Sequence, residues 1–143
     1  MTSTDRSLPM FKTIAATGVV KNLNLVNTFL ALTQFGEGAF SGCTVMTTVT
    51  LPELGSIPAK AFKGDTSLTT VSIANAESIG VQAFQNCSGL IELSIPAVTI
   101  VGDVETVALN AEDSGDYSVF SGCSKLKKVS MPKVERIGAF AFY

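Results

Sequence analysis

Four residues able to do chemistry share one frame: Cys43, Asp65, Cys87 and Cys123 follow one another at steps of 22, 22 and 36 residues. Thiols and a carboxylate are the material of nucleophilic catalysis, disulfides and metal ligation. The chain has no histidine and no tryptophan. Without histidine there is no Cys-His or Ser-His-Asp arrangement and no ordinary general base near neutral pH, and the commonest metal ligand is missing. The glycines form no phosphate cradle; they are spread at regular intervals, each serving a turn. Paired carboxylates occur at Glu112-Asp113, inside DVETVALNAEDSGD, and read as a solvated loop. That segment lacks the alternating acids and closing glutamate of an EF-hand loop, so no metal site is read from it. The expectation is a protein that is not an enzyme and holds no cofactor.

The frame that spaces the thiols also spaces the large rings. Phe40, Phe62, Phe84, Phe120 and Phe142 lie 22, 22, 36 and 22 residues apart, so one copy carries 14 extra residues. The copies read FSGCTVMTTVTLP, FKGDTSLTTVSIA, FQNCSGLIELSIP and FSGCSKLKKVSMP from the first four of these rings. A fixed period of this length is the signature of stacked repeats. One repeat is one short coil turn that cannot bury its apolar face alone, so the copies must stack.

Within each copy the apolar residues Met46/Val49/Leu51, Leu68/Val71/Ile73, Leu90/Leu93/Ile95 and Leu126/Val129/Met131 end in the alternation of a strand with one buried face. Strands are expected near 46–51, 68–73, 90–95 and 126–131. Pro52, Pro96 and Pro132 end them, having no N–H to continue a ladder. Ile79-Gly80, Val101-Gly102 and Ile137-Gly138 turn the chain on the far side, and Ala-Phe then sends a ring into the core. Upstream, residues 20–25 fit the same strand frame, so residues 1–34 read as a divergent first repeat or cap. A capping helix over 26–35 is the open alternative. Residues 35–143 read as four repeats and the start of a fifth, with the acidic insertion at about 103–116.

Parallel stacking at about 4.8 Å per copy sets which side chains meet. Cys43 and Cys87 are two copies, about 9–10 Å, apart, too far for a disulfide. Cys87 and Cys123 are one step apart and within reach, although inward packing explains all three as free thiols. The outward strand positions fall in columns: Asn24, Thr50, Ser72, Ser94, Ser130; then Asn22, Thr48, Thr70, Glu92, Lys128; then Lys21, Thr47, Thr69, Ile91, Lys127. Cross-strand neighbours on one face interact, so Glu92 and Lys128 can pair. Candidate binding residues are therefore Thr48, Thr50, Thr70, Ser72, Glu92, Ser94, Lys127, Lys128 and Ser130. Two readings stand: a binding surface for a protein or glycan, or a solvated strand face on which Thr and Ser are simply favoured.

Ala-Phe-x-x-Cys-x-x-Leu-x-x-Val-x-Ile-Pro resembles the BspA-like, or treponemal-class, leucine-rich repeats over about residues 35–143. The resemblance implies a leucine-rich-repeat solenoid, a right-handed coil with a parallel β-sheet on its concave face and short turns or 3-10 segments on the other side. Similar repeats put Asn or Cys at the Cys43 position, where the side chain can satisfy N–H groups of a turn. It also implies a cell-surface or secreted protein used in adhesion, with a host extracellular or cell-surface protein as partner. Asp65 in place of cysteine and the insertion are departures from the pattern.

Composition sets the remaining bounds. At 143 residues with a net charge of −2 the chain is one domain with nothing suited to nucleic acid. No apolar run reaches the ~20 residues of a membrane span. TIAATGVV at 13–20 is too short and too interrupted for a signal peptide and is reused by the first repeat. The insertion carries five acids, whereas residues 125–136 carry five bases against one acid. Insertions in repeats map to loops on one face, often a binding face. The reading is a recognition or adhesion domain; the alternative is a structural spacer in a longer repeat protein. An open strand edge at 126–131 predicts end-to-end self-association.

Overall fold

The structure, a computed structural model, describes residues 22–24, 34–102, 117–138 and 141–143. Eight short strands follow in order: β1 (Asn22–Asn24), β2 (Thr48–Thr50), β3 (Thr70–Ser72), β4 (Ser78–Ile79), β5 (Glu92–Ser94), β6 (Ile100–Val101), β7 (Lys128–Ser130) and β8 (Arg136–Ile137). They form two parallel sheets, five-stranded β1-β2-β3-β5-β7 and three-stranded β4-β6-β8. No helix occurs among the described residues. The helical alternative for 26–35 falls mostly outside them, and the insertion at 103–116 falls wholly outside.

The register of the large sheet follows the repeat period. Thr48 pairs with Thr70 and Val49 with Val71, and Ser72 with Ser94. Leu93 pairs with Val129 and Ser94 with Ser130. In the upstream copy Leu23 pairs with Val49. Each repeat contributes one central apolar residue, and Val49, Val71 and Leu93 are buried while their strand neighbours turn outward. The strands are shorter than the apolar pattern predicts. The N–H groups of Met46, Leu68, Leu90 and Leu126 still close turns onto the carbonyls of Cys43, Asp65, Cys87 and Cys123. A residue whose N–H is committed to a turn cannot also enter the ladder, so pairing starts two residues later.

Behind the sheet the phenylalanines form a continuous stack. Ring centroids are 5.7 Å apart for Phe40–Phe62, 5.5 Å for Phe62–Phe84 and 5.7 Å for Phe84–Phe120. Interplanar angles of 9°, 19° and 4° make these offset stacks, a favoured ring arrangement. Phe142 departs from the expectation of a buried ring. It stacks on Phe120 at 4.8 Å yet stays 52% exposed, because no described repeat covers its other side.

The far side departs from the expected turns or 3-10 segments, for it is a second sheet. Turns are present, as in the Cys43 N–H to Phe40 carbonyl bond, but Gly80, Gly102 and Gly138 also donate to Ile57, Ile79 and Val101 of the preceding copy at 2.8, 2.7 and 2.7 Å. Glycine makes that approach available. A Cβ on Gly80 would strike the Ala59 backbone, and one on Gly138 would strike the Gly102 carbonyl. With no side chain between them, successive far-side segments close into a ladder.

Candidate functional site

The shared cysteine position lies inside the stack. Cys43, Cys87 and Cys123 are all free and buried. The thiols of Cys87 and Cys123 donate to the carbonyls of Phe62 and Phe84 in the preceding repeats, each at 3.0 Å. Backbone N–H groups bear on the same sulfurs, that of Asp65 on Cys87 and that of Cys87 on Cys123, in keeping with the expected capping of turn N–H groups. The two thiols hand their proton to a carbonyl and tie one repeat to the one before. Burial pushes the Cys43 thiol up to about 12 and Cys123 to about 11, and raises Cys87 further. All three hold their protons near neutral pH, which disfavours the thiolate that nucleophilic attack and metal ligation use.

Asp65 does accept an N–H. Its Oδ1 receives the amide of Cys43, one repeat earlier, at 2.7 Å. Removing that acceptor leaves the Cys43 amide only its longer turn bond to the Phe40 carbonyl, at 3.3 Å, so the loss should be about 1 kcal/mol, the low end of what an unmade bond costs. Asp65→Leu is therefore expected to destabilise the protein by about that much more than Asp65→Asn, which keeps an acceptor oxygen in place. Urea denaturation at neutral pH measures the difference, and equal losses would remove the tie to Cys43.

Outward of the large sheet lies the candidate binding face. Thr70, Ser72, Glu92, Ser94, Lys127 and Lys128 are exposed, and Thr48, Thr50 and Ser130 are half-buried. A shallow depression of about 370 Å³ crosses β3, β5 and β7, lined by Thr69, Thr70, Glu92, Ser94, Lys128 and Ser130, with the strand backbone of Val71 and Leu93 between them and their side chains turned into the core. It gathers Thr70, Glu92, Ser94, Lys128 and Ser130 from the predicted residues and leaves Thr48, Thr50, Ser72 and Lys127 outside. Thr69 is the lining residue the prediction did not include, although it stands in the third column. Ile91, in that same column, is 42% exposed.

Glu92 and Lys128 stand opposite one another in register. They close no ion pair; the one found among the described residues is Lys60 Nζ to Glu37 Oε1, at 2.7 Å. Lys125, Lys127, Lys128, Lys133 and Arg136 are all exposed, so the β7 end of the molecule is basic. The rings of Phe40, Phe62, Phe84 and Phe120 are buried in the stack rather than offered on this face. No helix among the described residues is long and apolar enough to cross a membrane.

The model of the BspA type leucine rich repeat region matches residues 17–143 in six copies. Among solved structures, a leucine rich cell surface protein from Faecalibacterium prausnitzii A2-165 is similar at 18% sequence identity, with a TM-score of 0.47. The match covers 78% of this chain and 32% of the other, so this chain spans about a third of that protein's length. No curated protein matches the chain.

Proposed function

The chain belongs to the BspA-type leucine-rich repeat family, and we propose that it is a non-catalytic recognition or adhesion domain that binds a partner protein through the outer face of its five-stranded sheet. In this reading the stack is a right-handed solenoid and that face is the concave one. The observation that carries the reading is the depression across three repeats, where hydroxyls, one carboxylate and one ammonium converge on one face of the sheet. A few placed polar groups suit orientation and specificity. A protein is the better ligand than a glycan because the rings Phe40 to Phe120 are buried, leaving no flat platform there for sugar faces. Cell-surface or secreted placement, with a host extracellular protein as partner, belongs to the same proposal, and the similar structure is a cell surface protein. Immobilised protein, probed in parallel with a panel of extracellular-matrix proteins and a glycan array, tests it. Retention of a protein supports recognition. Glycan binding alone moves the ligand class, and no binding on either panel favours a spacer.

The β7 end supports a further contact. Among the described residues, three of the four exposed large hydrophobics, Ile137, Phe142 and Tyr143, lie in this last part of the chain. β7 and β8 are the last strands of their sheets. Open edges recruit strands, so concentration-dependent end-to-end association of the protein is expected, opposed by the charges of Lys127 and Lys128. Sedimentation should show larger species as concentration rises and more of them in high salt. A clean monomer at high concentration would contradict it.

A further inference from the structure

The repeat slot that holds a thiol at Cys87 and Cys123 holds a carboxyl at Asp65. A thiol suits the slot because its single proton goes to the carbonyl of the preceding phenylalanine. Asp65 is wholly buried and brings two oxygens. Oδ1 takes the amide of Cys43. Oδ2 is buried and has no hydrogen-bond partner among the described residues. An ionised carboxylate with one oxygen in that state is costly, whereas a neutral carboxyl carries an O–H donor, as a thiol carries S–H. Among the described residues the ionisable groups bearing on it are the thiols of Cys43 in the preceding repeat and Cys87 in the following one, and no cation there offsets its charge.

We propose that Asp65 is a proton-held latch at the centre of the stack: protonated in the folded protein, it releases the turn at 62–68 and strand β3 when it loses that proton. Burial supports this, pushing the carboxyl from 3.8 up to about 8 against the opposing pull of the Cys43 and Gly42 amides. Cys43 is pushed up to about 12 and Cys87 also up, so both thiols stay neutral while Asp65 titrates. The folded state therefore holds one more proton than the unfolded chain between those two values. Stability from this group is complete below about pH 4 and falls as pH rises to about 8, with the unfolding constant growing up to tenfold per pH unit. The latch stands whether or not the outer face binds a partner.

Urea unfolding followed by circular dichroism, from about pH 5 to about pH 8, tests it on the wild type, Asp65→Cys and Asp65→Asn. Asp65→Cys restores the residue of the neighbouring repeats; Asp65→Asn keeps the shape and the acceptor but cannot ionise. The wild type should lose stability with rising pH relative to both variants, and both should be the more stable at pH 8. Exchange of the Cys43 and Leu68 amides, corrected for its intrinsic pH dependence, should lose protection with pH in the wild type alone. If Asp65→Cys does not fold, Asp65→Asn decides. Parallel pH profiles for the wild type and Asp65→Asn would overturn the proposal.

Discussion

Phe84→Ala is expected to cost about 3–5 kcal/mol, the range for a buried aromatic truncated to a methyl. Phe84 is fully buried, between Phe62 at 5.5 Å and Phe120 at 5.7 Å. Its backbone is tied twice to the following repeat as well: its N–H donates to the Val119 carbonyl, and its carbonyl accepts the Cys123 thiol. The following repeat cannot collapse into the space without breaking those bonds, so much of the cavity term should remain. A fall in Tm of roughly 10–20 °C follows for a chain of this length. Phe142→Ala is the control, since its ring is already half open to solvent and should cost far less. Unchanged thermal stability in Phe84→Ala would show that the rings do not stack in this register.

Gly80→Ala should be nearly as damaging, at about 3 kcal/mol, the upper end of what overpacking costs. The added Cβ would run into the backbone of Pro58 and Ala59. Backbone cannot swing aside as the end of a flexible side chain can. Gly80 also donates its N–H to the Ile57 carbonyl at 2.8 Å, so moving the segments apart would break the far-side ladder. Thermal denaturation measures the loss. A Gly80→Ala protein as stable as the wild type would mean that the far-side segments do not approach as described.

Much of this architecture was legible in the sequence because a strict period dictates register. Once Phe40, Phe62, Phe84 and Phe120 are aligned, Thr50, Ser72, Ser94 and Ser130 must be Cα partners, and the structure pairs Thr50 with Ser72, Ser72 with Ser94 and Ser94 with Ser130. The second sheet was not legible. Ser78–Ile79 and Arg136–Ile137 are two-residue strands, too short for an alternation to be read. The clue was the β-branched residue before each glycine, which reads equally well as a turn. Nor did the capping expectation say that the thiols would also donate. Cys87 donates to the Phe62 carbonyl while the Asp65 amide bears on its sulfur, and Asp65 accepts the Cys43 amide from the same kind of slot, so both residue types meet the same amide of the preceding repeat and only the thiol adds a donor.

The candidate face was half legible for a similar reason. Columns name every outward residue, but they do not say where the sheet hollows. Thr70, Glu92 and Lys128 line the depression, whereas Thr50 and Ser72, equally outward by period, do not. The basic end was plain from the run of lysines, and the acidic insertion that faces it in composition lies outside the described residues.

Recognition through the outer sheet face is tested most directly by blocking that face. Thr70→Arg with Ser94→Arg places two long cations in the depression, on exposed positions where the fold should tolerate them. Glu77→Arg, exposed beside the far-side strand β4, leaves the face untouched. Affinity for the protein retained from the extracellular-matrix panel should fall at least about tenfold, which is about 1.4 kcal/mol, in the double variant and stay unchanged in Glu77→Arg. Equal affinity in all three proteins, with the folds intact by circular dichroism, would contradict binding through this face.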